Sequence, residues 1–172
     1  MNTMEQSERN WKRKRIRLTQ YDYATPGSYF ITICTKDRIP LLWENVEAAI
    51  SRQETPRLSQ IGMIVDKAIC QIDTHYAAAV VDKYCIMPDH VHLLLTLQAD
   101  ECGKRMSADA VSTIIGSMKR WVSARVGRSI WQKSFIDRVI RNKNGYLKVW
   151  EYINQNPLRI DFAGDNIDFS EM

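Results

Sequence analysis

The stretch from Tyr84 to Gln98, YCIMPDHVHLLLTLQ, leaves the chain the fewest conformational choices. A Pro88-Asp89 pair interrupts two runs of strand-forming residues, so Ala78 to Met87 and His90 to Gln98 are predicted to be antiparallel strands joined by a tight turn. In the second run Val91, Leu93, Leu95 and Leu97 fall on alternate positions. Side chains alternate faces along a strand, so these four define a face turned to the core, and His90, His92, Thr96 and Gln98 fall on the other. Both imidazoles then point the same way from backbone positions about 6.6 Å apart. One metal ion can take both at that spacing, but two hydrogen-bonded or exposed histidines show the same pattern, and the pair alone names neither metal nor reaction. Neither histidine is expected on the core face, so their removal is expected to leave the fold intact.

The remaining elements follow from periodicity. Ser28 to Thr35, SYFITICT, is rich in aromatic and β-branched residues and follows a Pro26-Gly27 turn signal, which predicts a strand. Residues 36 to 58 read as a loop with room for a short helix. Ile61, Ile64, Val65, Ala68, Ile69 and Ile72 recur at steps of three and four, and so do Val111, Ile114, Ile115, Met118 and Val122, predicting two amphipathic helices. Ser134 to Ile140 alternates well enough for a fourth strand. A last helix is predicted from about Asn144, as its N-cap, to Asn156, where Pro157 ends it. The order corresponds to an α+β fold, a ferredoxin-like antiparallel sheet (βαββαβ) with an additional C-terminal helix. At 172 residues the chain suits one domain, over 28–160, between an N-terminal arm of 1–27 and a tail of 161–172.

Hydrophobic residues at 45% and charged residues at 26% exclude a largely disordered or fibrous chain. The net charge of +4 is unevenly placed, with Lys12, Arg13, Lys14, Arg15 and Arg17 in one run. Such an arm can neutralise phosphates or serve as a solvated leader. The four cysteines, Cys34, Cys70, Cys85 and Cys102, form no C-x-x-C pair and are expected as free thiols of a reducing cytoplasm. No run approaches the roughly 18 apolar residues of a membrane span, and no apolar signal-peptide core is present, so a cytoplasmic protein without membrane contact is expected. His75, alone between a helix and a strand, reads as a surface residue.

On the last helix Tyr146, Val149, Trp150 and Ile153 make an apolar stripe. Tyr152 and Asn156 lie about 40° apart on its flank, one turn from each other. They read either as a phenol and amide pair on one edge or, separately, as a boundary aromatic beside Trp150 and a helix-terminal Asn before proline. His90-Val91-His92 looks like the HUH motif, two histidines around a hydrophobic residue, found in relaxases, rolling-circle replication initiators and single-tyrosine transposases. Tyr152-Ile153-Asn154-Gln155-Asn156-Pro157 resembles the downstream Tyr-x-x-x-(Asn/Gln) motif of the single-tyrosine branch. Within that branch the chain resembles the REP-associated tyrosine transposases. The resemblance runs from TPGSYFITICT through MPDHVHLLL to IWQKSFIDRVI and YINQNPLR, and is most specific at 84–97 and 131–159; residues 39–58 and the tail after Arg159 match nothing assignable.

That resemblance implies that His90, His92 and Asn156 bind Mg²⁺ or Mn²⁺ and that Tyr152 attacks the scissile phosphate of single-stranded or hairpin DNA. The products would be a 5′-phosphotyrosine link and a free 3′-hydroxyl. A phenol has a reference pKa near 10, so Tyr152 must be activated by the metal field, a neighbouring base or a basic surface. No nucleotide cofactor is implied and no nucleotide-binding loop is present. Lys12, Arg13, Lys14, Arg15 and Arg17, with Lys119 and Arg120 of the second helix, are the expected DNA contacts, and a monomer is expected. Two alternatives stay open on the sequence: a non-catalytic ferredoxin-like nucleic-acid binder whose Tyr29 and Phe30 stack bases, and a metal-dependent phosphodiesterase that uses water in place of tyrosine.

Overall fold

Four strands form one antiparallel sheet in the computed structural model, which describes residues 26–51, 53–99 and 109–156. β1 (Gly27–Cys34), β2 (Ala79–Ile86), β3 (His90–Leu97) and β4 (Ile136–Ile140) lie in the order β2-β3-β1-β4. Helices α2 (Gln60–Cys70) and α4 (Ala110–Val126) lie in the two crossovers, and α5 (Lys143–Gln155) follows the last strand. This is the ferredoxin-like order with an added helix that the periodicity predicts. Two further short helices, α1 (Val46–Ile50) and α3 (Ile72–His75), and a 3-10 turn (Lys36–Arg38) occupy connections. The stripe read as one helix through Ile72 is thus two helices, which break at Gln71. Among the described residues no helix is long and apolar enough to cross a membrane. The basic arm, Cys102 and the tail of 161–172 lie outside the described residues.

Register decides what each face carries. Tyr29, Ile31 and Ile33 of β1 stand opposite Leu95, Leu93 and Val91 of β3, and all six are fully buried. Helices α2 and α4 pack together over this face with Val65, Ile69, Ile114, Ile115 and Val122 in the interior. The alternate residues Phe30, Thr32 and Cys34 stand opposite Leu94, His92 and His90. This second face was expected to lie outside the apolar interior, and that expectation needs correction. Helix α5 packs against β2 and β3 there, so that His92 is 0% and His90 8% exposed. Val149 and Ile153 are buried under α5 and stabilise its docking by roughly 1.5–3 kcal/mol each.

The caps and stripe of α5 differ from expectation too. Asn142, not Asn144, is the N-cap, because its side chain accepts a hydrogen bond from the Gly145 N–H at 2.8 Å. The buried stripe is Gly145, Val149 and Ile153. Trp150, read as part of that stripe, is 38% exposed and lies under the Lys83 ammonium, 4.9 Å from the ring centroid.

Two local features position the β2–β3 turn. Strand β2 has a one-residue irregularity between Val81 and Lys83: Val81 stands opposite Leu95 and Lys83 opposite Leu94. Beyond it the parity of the strand reverses, so that Tyr84 shares the α2 side with Leu93 while Cys85 stands opposite His92. The segment after β1, of which residues 39–58 matched nothing at the level of sequence, clasps the turn. Thr35 donates its N–H and its hydroxyl to the Asp89 carbonyl, both at 2.9 Å. Leu42 N–H donates to the Pro88 carbonyl at 2.9 Å, and the Trp43 indole to the Ile86 carbonyl at 2.7 Å. Helix α2 sits so close to this segment that a Cβ at Gly62 would lie 2.2 Å from the Leu42 oxygen.

Candidate active site

Strand alternation sends both imidazoles to the α5 face, and the clasped turn fixes where the first one stands. His90 Nε2 and His92 Nε2 lie 3.1 Å apart. Their other nitrogens are engaged. His90 Nδ1 is 2.6 Å from Asp89 Oδ1, and His92 Nδ1 is 3.0 Å from Thr32 Oγ1. Burial pushes the Asp89 carboxyl up, but the hydrogen bond from His90, that ring's charge and the Arg38 guanidinium together hold it below the ordinary 3.8. Asp89 is therefore a carboxylate at neutral pH and can only accept, so His90 Nδ1 is the donor and its Nε2 is the nitrogen left to face a cation.

Two ligand atoms side by side on an octahedral ion bound at about 2.1 Å are about 3.0 Å apart, so the imidazole separation fits a shared cation. A carboxylate behind a ligand imidazole, as Asp89 stands behind His90, orients the ring and raises its basicity. Among the described residues there is no group of three or more His, Cys, Asp or Glu side chains able to hold a metal. A further protein donor would have to be of another kind. Asn156 is 6% exposed, and its Nδ2 is buried with no hydrogen-bond partner. Exchanging the two ends of that amide puts an unpaired carbonyl oxygen in the same place, the kind of atom a hard cation takes.

Tyr152 completes the group. Its hydroxyl is 3.3 Å from His92 Nε2, and its ring meets His92 edge to face with centroids 5.3 Å apart. Phe30 stacks on His92 at 5.1 Å and meets Tyr152 edge to face at 5.9 Å. Two other tyrosines, Tyr84 and Tyr146, have different surroundings. Tyr84 donates to Asp66 Oδ1 at 2.7 Å on the opposite side of the sheet; burial, with Cys70 and Asp66 beside it, pushes its phenol far up. Tyr146 is also raised, by burial and by Asp82.

Of the residues singled out from sequence, His90, His92 and Tyr152 come together. Asn156 lies one turn beyond Tyr152, whose carbonyl accepts its backbone N–H. Lys119 is turned inward: its ammonium donates to the carbonyls of Gln132, Lys133 and Ser134 at 2.6, 3.3 and 3.3 Å, and burial pushes its pKa down. Arg120 is exposed on α4 and His75 is on the surface, while Lys12 to Arg17 lie outside the described residues. Tyr29 and Phe30, the base-stacking surface of the non-catalytic alternative, are 0% and 4% exposed, so neither ring face is open to a base.

Asp89, Thr32 and Arg38 escaped the sequence reading, and Phe30 was read there only as a surface for stacking bases. Asp89 was legible as the residue directly before a histidine, although it was read only as turn. Thr32 and Phe30 reach the histidines through β1–β3 register. Arg38 pairs with Asp89 Oδ2 at 3.1 Å and donates to Cys34 Sγ at 3.0 Å. It does so from a backbone in which Asp37 and Arg38 both have positive φ, 55° and 56°. Two successive left-handed non-glycine residues cost on the order of 1 kcal/mol or more each, and nothing in the sequence signals them.

No family model matches the chain. An "Uncharacterized protein" of Haemophilus influenzae is 27% identical over 165 residues, covering 85% of this chain and 88% of its own. A solved structure of a REP-associated tyrosine transposase bound to a REP hairpin covers 90% of this chain and 94% of its own, with a TM-score of 0.58 and 21% identity. At that identity the likeness is one of backbone architecture: this chain has a fold similar to that of a REP-associated tyrosine transposase.

Proposed function

We propose that the chain is a divalent-metal-dependent enzyme that nicks and rejoins single-stranded DNA in hairpin substrates, with Tyr152 as the nucleophile. One observation carries this reading: the Tyr152 hydroxyl and His90 Nε2 meet at His92 Nε2, 3.3 and 3.1 Å from it. The likeness of fold to a transposase bound to a REP hairpin supports hairpin DNA as the substrate class. His90, His92 and Asn156 are the residues that would hold Mg²⁺ or Mn²⁺, which when bound polarises the scissile phosphate and offsets its developing charge.

The chain's own groups do the rest. Asp89 and Thr32 fix the two imidazoles, and Phe30 backs the rings of His92 and Tyr152. Helix α5, anchored by Val149 and Ile153, presents the phenol oxygen to the imidazole pair. That oxygen attacks phosphorus and the bond to the 3′ oxygen breaks, giving a 5′-phosphotyrosine link and a free 3′-hydroxyl. The link keeps the phosphodiester's energy, so a 3′-hydroxyl can reverse the step without ATP. Arg120 and the arm Lys12, Arg13, Lys14, Arg15 and Arg17 are the proposed phosphate contacts, whereas Lys119 supports a loop. The same reading has the protein act as a monomer in the cytoplasm.

A hairpin labelled at its 3′ end, incubated with Mn²⁺ and run on a denaturing gel, tests this. The expected product is labelled DNA that migrates with protein attached and returns to free DNA after proteolysis. Cleavage without attached protein would point instead to water as the nucleophile, and no cleavage to a binding protein.

A further inference from the structure

Asp82 and Lys83 are neighbours in sequence, yet the side chains of both bond to helix α5. In a regular strand adjacent side chains leave on opposite faces. The irregularity between Val81 and Lys83 lifts that constraint, because an extra residue in one strand lets two consecutive side chains leave on one side. The two then hold different stretches of the helix. Asp82 Oδ2 accepts from Thr96 Oγ1, whose oxygen lies 2.7 Å from Ser28 Oγ, and the same carboxylate accepts from the Tyr146 hydroxyl near the start of α5. This chain of bonds crosses β1, β3 and β2 before it meets the helix.

Lys83 serves the other end. Its Nζ donates to Asn154 Oδ1 at 2.9 Å in the last turn of α5 and lies over the ring of Trp150, which stacks in turn on Tyr146 with centroids 6.2 Å apart. The signs follow the helix dipole, with the acid toward the N-terminal end of α5 and the cation toward its C-terminal end. All these contacts lie on one flank. At 100° per residue the Val149 and Ile153 stripe has Tyr146, Trp150 and Asn154 to one side of it and Tyr152 to the other.

Apolar burial has no direction, so a narrow stripe holds a helix down without fixing its roll about its own axis. Directional bonds on the flank away from Tyr152 do fix it. The lever is steep: for a side-chain atom about 6 Å from the axis, a roll of about 20° is a shift of about 2 Å. The Tyr152 hydroxyl stands 3.3 Å from His92 Nε2, so a roll of that size would break the contact or crowd it. We propose that Asp82 and Lys83 are positioning residues for the nucleophile, which set the roll of α5 from the irregular point of β2 and so hold the Tyr152 hydroxyl at the imidazole pair. The inference rests on the reading of Tyr152 as the nucleophile, to which it adds the groups that decide where the reacting oxygen stands.

Four variants of the full chain test it. Lys83→Met keeps an aliphatic stem without the charge, Asp82→Ala removes the acceptor, and Lys83→Arg keeps a cation of similar reach. Val65→Ala, in the apolar layer on the other side of the sheet, controls for lost stability alone. The single-turnover rate of adduct formation is measured at saturating labelled hairpin and Mn²⁺, and the Kd for the hairpin is measured in chelator. The rate is expected to fall at least about tenfold in Lys83→Met and Asp82→Ala and to stay near wild type in Lys83→Arg and Val65→Ala, with Kd unchanged throughout. In NMR spectra of the free protein, cross-peaks between the Tyr152 and His92 rings are expected to weaken in the first two variants only. Unchanged cross-peaks, a wild-type rate in both variants, or a loss carried by Kd overturns the proposal. The spectra also separate the two readings. Cross-peaks that weaken in those variants when even the wild type forms no adduct keep the positioning and remove the chemistry; adduct at an unchanged rate with unchanged cross-peaks keeps the chemistry and removes the positioning.

Discussion

The two faces of the sheet are made by the same strands and spend their burial differently. On the α2 and α4 side, Ile31, Ile33, Val91, Leu93 and Leu95 give a wholly apolar layer. On the α5 side, one residue along, His90, His92 and Thr32 are nearly as buried but are polar, and they are joined by hydrogen bonds to each other, to Asp89 and to Tyr152. Burying polar groups costs free energy unless they are paired, so this second layer is held by specific bonds as well as by area. The difference teaches that burial does not separate core from site here; the chemistry of the buried groups does.

The largest effect that would break this comparison is chemical. Tyr152→Phe keeps the ring against His92 and Phe30 and is expected to abolish the covalent DNA adduct while folding persists, measured by gel shift and circular dichroism. Tyr84→Phe, on the other face, is expected to keep the adduct at the cost of about 1 kcal/mol from its bond to Asp66. An adduct mapped to Tyr84 would reverse the roles of the faces.

Neighbouring residues on β3 sharpen the contrast. His92→Ala and Leu93→Ala both empty a fully buried position, and each is expected to cost roughly 2–4 kcal/mol in urea unfolding. Only His92→Ala should also lose the stabilisation by Mn²⁺ that is expected of the wild type, about 2.7 kcal/mol at a hundredfold excess over Kd. Equal responses of the two variants to Mn²⁺ would mean that the imidazoles are packing alone.

The smallest effect is electrostatic. Asp89 has its folded pKa depressed below 3.8, so its contribution is present above that value and is lost as pH falls through the folded pKa. Asp89→Asn is therefore expected to be less stable than wild type by about 1–2 kcal/mol at neutral pH, with the gap closing below pH 3.8. A gap that stayed constant across the acid range would assign Asp89 a steric role.

Periodicity made the βαββαβ order and the position of α5 legible, because alternate apolar residues on β3 and three-and-four steps on α2 and α4 are properties of local sequence. The histidine spacing and the Tyr152 turn were legible for the same reason. The second buried layer was not. That α5 covers the histidines, that Thr32 faces His92, and that residues 35–43 grip the Pro88-Asp89 turn are pairings between segments far apart in the chain. The N-cap was misread because Asn142 and Asn144 are chemically alike, and only the bond to Gly145 distinguishes them.

The extra residue in β2 bears on how many nucleophiles the proposed chemistry could draw on. Val81 and Tyr84 share a side only because the strand's parity reverses between them. Were β2 to pair regularly with every residue kept, one stretch would have to change sides: either Val81 and Ala79 would leave the helical layer, or Tyr84 and Ile86 would. The second outcome delivers another phenol to the imidazoles, and with it a rival attachment point for DNA. A single irregularity in a ladder of hydrogen bonds thus sorts the phenols of this sheet, and on the proposed function it leaves covalent chemistry one address instead of two.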